Sequence, residues 1–268
     1  MSLLLLNRRA EKPYYYDKLN IGIWSGEELC YVIVNYPLLA LSGFVTEGLL
    51  DWMDTGLSMA GLAARLREEK RAGESEENLL LEILQVINYY SVAEIRSYRN
   101  VILEYRKWPK QKLYRETGKM FAAAGRYHFA EEKFEAALSE TEILLKEEKE
   151  EGKKQELLEE KAEILCDLVA VSMLRFDTVG ALRLLSMAEE TERVERTREY
   201  RYLITGDADL SEEGKKALDE RKQAYLKEAC ESEKCHRIRE LSGLDSVKFA
   251  AEARDIVREW KKEYRKSS

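Results

Sequence analysis

Apolar residues recur along most of the chain at helical spacing. Leu79, Leu80, Ile83, Val86, Ile87 and Tyr90 return every three or four positions, the period that aligns side chains on one face of a helix. Stripes of this kind predict helices over about 26–35, 38–54, 58–72 and 75–90, then over 91–107, 110–124, 155–175 and 177–192. Two or three C-terminal helices are expected beyond a linker at 207–211, plausibly over 211–241 and 245–265, the last capped by Asp245 or Ser246. Starts are marked by capping chemistry. Ser25 with Glu28, and Ser91 with Glu94, have the spacing at which a hydroxyl accepts from the third helical amide while the glutamate reaches back to the cap amide. Pro109 stands where a helix can begin, because its missing donor is harmless there. The first 24 residues mix Tyr14, Tyr15, Tyr16, Ile21 and Ile23 with turn formers and can hold one or two short strands.

Composition strengthens the helical picture. Of 268 residues only 14 are Gly and 3 are Pro, while 35% are charged and 45% hydrophobic. Straight-chain residues lose little rotamer freedom in a helix, and an α/β enzyme would need more glycine-rich turns. A net charge of −7 speaks against general nucleic-acid binding, which requires a basic surface. Four scattered cysteines, Cys30, Cys166, Cys230 and Cys235, fit a reducing, cytoplasmic setting better than a disulfide framework. The apolar run at Leu3, Leu4, Leu5 and Leu6 precedes its basic pair, the reverse of a signal peptide. Residues 29–46 are 18 uncharged positions in a row, at the lower edge of membrane-spanning length. Asn35, Pro37 and Gly43 interrupt them, and the reading is two short buried helices with no membrane span.

Between Tyr114 and Ala137 the residue types follow a particular order. Tyr114, Gly118, Phe121, Gly125, Tyr127, Ala130, Phe134 and Ala137 alternate small and large side chains around one turn. Gly118 and Ala130 would let two helices approach, Gly125 would permit the turn, and the aromatics would fill the wedge. The segment resembles the tetratricopeptide repeat (TPR) family. Leu165, Leu168, Ala181, Leu185 and Ala188 can be laid on the same pattern, with Phe176 at the turn, but the offset is 51 residues against a family period of about 34. The surplus falls in the charged run 146–161, which reads as longer helices or an extended loop.

The expected fold is therefore all-α: helical hairpins stacked as a short TPR-like superhelix, with a small β element at the start. An N-terminal helical module over 1–73 would precede a TPR-like domain with C-terminal capping helices over 74–268. The resemblance implies a non-catalytic scaffold or adaptor that holds a protein or peptide. Lys112, Arg115 and Lys119 share one stripe of the 110–124 helix, where members of the family grip a carboxylate, so an acidic peptide would suit them. The matching face of the next unit offers Glu163, Cys166, Ala170 and Met173 and does not continue the basic stripe.

Chemistry is sparsely represented. Cys230, Cys235 and His236 form the one cluster of metal-type residues, but positions 230 and 235 lie about 140° apart around a helix and no second doublet closes a tetrahedron. With 2 histidines, no nucleophile elbow and no phosphate-binding glycine loop, neither a catalytic residue, a metal nor a cofactor is expected. The alternative from another class is an intracellular peptide-sensing transcriptional regulator, which pairs a helix-turn-helix with a TPR body. The segment 56–66 would supply one such helix, with Ala63, Ala64 and Leu66 facing a core and Arg65, Arg67, Lys70 and Arg71 forming a small basic patch.

Overall fold

The computed structural model describes residues 9–192, 194–206, 210–231, 248–249 and 252–259. It is all-α apart from one short hairpin, β1 (Tyr14–Tyr16) and β2 (Ile21–Ile23), paired antiparallel with Tyr14 opposite Ile23. The helices are α1 (Gly26–Asn35), α2 (Pro37–Ala40), α3 (Glu47–Thr55), α4 (Ala60–Arg71), α5 (Glu76–Ile87) and α6 (Val92–Tyr105). They continue with α7 (Lys110–Ala123), α8 (Tyr127–Glu147), α9 (Glu151–Leu174), α10 (Thr178–Thr191), α11 (Glu195–Thr205) and α12 (Glu212–Glu231), and residues 252–259 are helical. The chain divides into two compact units, Met1–Arg126 and Tyr127–Ser268.

In the first unit α1 packs on α5, α3 on α4, and α5 on both α4 and α6, while α7 meets α2. The hairpin is anchored by Tyr16, whose ring sits edge-on against Phe44 at 4.7 Å and whose hydroxyl donates to the Leu39 carbonyl at 3.1 Å. Trp52 of α3 closes the same side by donating to the Lys12 carbonyl at 2.9 Å. The residue-73 boundary expected from the sequence lies in the turn between α4 and α5, two helices that pack together.

Several capping predictions appear as drawn. Ser91 accepts from the Glu94 amide, and the Glu94 carboxylate takes the Ser91 amide at 2.8 Å, completing a capping box. Pro109 stands at the N-cap of α7. At α1 the Ser25 hydroxyl accepts from Glu28, but the Glu28 carboxylate takes the amide of Trp24, one residue earlier than the box predicts, at 2.6 Å.

Other expectations need correction. The 38–54 helix is two helices: Gly43 adopts φ +84°, and Thr46 caps a fresh start by accepting from the Leu49 amide. The loop so formed buries Phe44 and Val45, and it is held by Glu76 on the Val45 amide at 2.6 Å and by Lys70 on the Val45 carbonyl. No side chain caps α4, because Ser58 takes a left-handed φ of 56° and the helix begins at Ala60. Leu62, Ala63 and Leu66 are its buried residues, and Ala64 points outward. On α5, Val86 is exposed instead of joining the core stripe.

Residues 29–46 form α1, α2 and a loop, and among the described residues no helix is long and apolar enough to cross a membrane. In the second unit the charged run resolves in favour of longer helices, with α8 and α9 separated only by residues 148–150. α9 lies between α8 and α10 and also meets α11. Its middle is therefore buried almost all round, from Ala162 to Ser172, as expected for a helix enclosed by neighbours. Residues 207–209 of the predicted 207–211 linker, the helix ends at 232–241 and 260–265, and the Asp245 or Ser246 cap lie outside the described residues.

Candidate binding surfaces

The residues of the repeat pattern fall on both units, with α7 in the first and α8 in the second. Gly118 and Phe121 are buried on α7, and Ala130, Phe134 and Ala137 are buried on α8. Tyr114, Gly125 and Tyr127 are half-buried. Ala181, Leu185 and Ala188 of α10 are likewise buried, and Ala181 and Leu185 form an apolar cluster with Val169 that is joined by Met173, Tyr200 and Ile204.

The basic stripe of α7 already has local partners. Lys119 pairs with Glu116 at 2.7 Å, and the Lys112 ammonium lies 4.2 Å from the centre of the Trp108 ring. Arg115, half-buried, also has a partner within the protein. Any acidic ligand would have to displace or share these contacts, which lowers what the stripe can contribute.

The matching face of α9 is covered by α11. Arg196 reaches Glu163 at 2.6 Å and Asp167 at 2.9 Å, and it also donates to the Tyr200 hydroxyl at 3.0 Å. Burial pulls the Arg196 pKa down, but Tyr200, Glu163 and Asp167 more than offset it, so the guanidinium is held firmly charged. Cys166 is fully buried. Glu163, Cys166 and Met173 are thus packing or pairing residues, and sequence reasoning missed Arg196, which lies 33 positions from its Glu163 partner.

A less expected feature sits at the turn between α9 and α10. The Phe176 amide donates to the Met173 carbonyl and the Asp177 amide to the Ser172 carbonyl, the bond pair of a Schellman cap. Phe176 occupies its left-handed position at φ 62°, where glycine is usual and a bulky residue is a true outlier. Its ring is 83% exposed, beside exposed Leu174 and Val179. Asp177 then caps α10 by accepting from the Gly180 amide at 2.9 Å, a placement a Cβ at Gly180 would obstruct.

On α4 three residues of the basic patch, Arg65, Arg67 and Lys70, are engaged inside the unit. Arg67 reaches Asp51 at 2.6 Å and Glu47 at 3.4 Å, Arg65 reaches Glu82 at 2.8 Å, and Lys70 holds the Val45 carbonyl. A shallow cleft of about 490 Å³ between α4, α5 and α6 is lined by Arg65, Glu69, Glu74, Glu82 and Arg99, and several of these charges engage one another. There a shared hydrogen bond with Glu82 lifts the Glu69 carboxyl above its usual range. Among the described residues no cluster of metal-type side chains is found. Cys235 and His236, and the side chain of Cys230, lie outside them. Cys30 is wholly buried, and burial pushes its thiol pKa up to about 12, so it is no nucleophile at neutral pH.

Compared with family models, curated proteins and solved structures, the chain finds no match.

Proposed function

We propose that the protein is a non-catalytic, TPR-like scaffold of the cytoplasm that holds a protein or peptide partner on side chains displayed at its helix turns. The observation that carries this reading is Phe176. A left-handed backbone costs a bulky residue about 1–2 kcal/mol, and an exposed ring returns almost none of it through burial. A side chain kept in that state suits contact with something outside the chain. Two buried free thiols, Cys30 and Cys166, accord with a reducing compartment.

Quantitative affinity capture from native cell extract, run beside a metabolite-turnover screen of the purified chain, tests the proposal. The expected result is one stoichiometric partner and no turnover. Turnover of a metabolite with no retained partner would overturn it.

A further inference from the structure

We propose that Tyr31, Tyr89 and Tyr90 form a cation-accepting aromatic corner on the first unit, a docking site for an arginine- or lysine-bearing peptide segment. This deepens the scaffold reading by giving one surface a partner chemistry.

The corner is built by a helix ending. α5 stops at Ile87, Asn88 turns left-handed at φ 54°, and Tyr89 and Tyr90 follow before α6 begins at Val92. Their rings meet edge to face, 4.9 Å apart at 74°. Tyr89 is 54% exposed, and Tyr31, on the adjacent helix α1, is 53% exposed. Val92 beside them is 74% exposed, an apolar shelf suited to the aliphatic stem of a long basic side chain.

The electrostatics select the sign of the ligand. The Tyr90 phenol is raised above its ordinary pKa by burial first, then by Tyr89, Cys30, Glu94 and Tyr31. Of these neighbours Glu94 is the carboxylate. Glu94 is kept ionised by the Ser91 hydroxyl and amide, which hold its carboxyl below the usual range. Aromatic faces beside a fixed carboxylate attract ammonium and guanidinium groups. The same unit uses that pairing internally: Arg9 lies 4.7 Å from the Trp24 ring centre and Lys112 lies 4.2 Å from that of Trp108. Among the described residues no cation lies over Tyr31, Tyr89 or Tyr90.

The test is a titration of the full chain with a short arginine-containing peptide, read by tyrosine ring resonances. Its glutamate counterpart serves as control, and tetramethylammonium is a probe without hydrogen-bond donors. Saturable shifts of Tyr31, Tyr89 and Tyr90 are expected with the arginine peptide and with tetramethylammonium, and none with the glutamate peptide. Tyr89→Ala should weaken binding about tenfold, whereas Tyr89→Phe, which keeps a π-face, should stay within about twofold. Equal shifts from both peptides, or undiminished binding by Tyr89→Ala, would overturn the proposal. A defined peptide keeps the outcome separate from the scaffold reading: a chain that captures its partner yet ignores arginine loses only this site.

Discussion

The turns after α7 and after α9 have the same backbone and opposite chemistry. At the first, Gly125 donates to Ala122 and Arg126 to Phe121. At the second, Phe176 donates to Met173 and Asp177 to Ser172. The left-handed residue has φ 70° in one and 62° in the other. Beyond each turn the buried positions also agree, with Ala130, Phe134 and Ala137 against Ala181, Leu185 and Ala188, each pair 51 residues apart. The packing of the following helix thus asks for the same small–large–small order in both places. The turn residue itself differs: glycine enters the left-handed region without strain, and phenylalanine does not. Folding alone explains Gly125. It does not explain Phe176.

The largest effects should come from what the two segments share. Phe134→Ala and Leu185→Ala each leave a cavity in a fully packed site and should cost about 2–5 kcal/mol in denaturant titrations. Next is the glycine turn: Gly125→Ala should cost about 1–2 kcal/mol, because a Cβ is strained at φ 70°. Asp177→Ala, which removes the α10 cap, should cost about 1 kcal/mol. Phe176→Gly should run the other way, stabilising by about 0.5–1 kcal/mol once the added freedom of the unfolded chain is subtracted.

The capping box at Ser91 gives the smallest effect and serves as a reference outside both turns. The Glu94 carboxyl is depressed in the fold, by the Ser91 hydroxyl first and then by its amide. Its contribution is therefore present above the ordinary glutamate pKa and is lost as pH falls through the depressed value. Glu94→Gln should remove that acid-side slope in hydrogen exchange of the first turn of α6.

Much of the fold was legible because its signals are local. Ser25, Ser91 and Pro109 mark helix starts, and the tyrosine and isoleucine run of the first 24 residues marks the hairpin. The split at 41–46 was half legible: Gly43 signalled looseness, but the new start depends on Thr46 and on Glu76 gripping a loop 31 residues away. The candidate surfaces were less legible, since they depend on partners remote in sequence. The α9 face is covered by Arg196, and on α4 Arg65 and Arg67 are paired with carboxylates of α5 and α3. Phe176 could be found by laying the two turns over one another, but its exposure could not.

The most direct test joins stability and binding in one variant. Phe176→Gly should unfold at higher denaturant than the unaltered chain while losing the captured partner. Full partner capture by a stabilised Phe176→Gly chain would contradict the claim that this ring is kept exposed for binding.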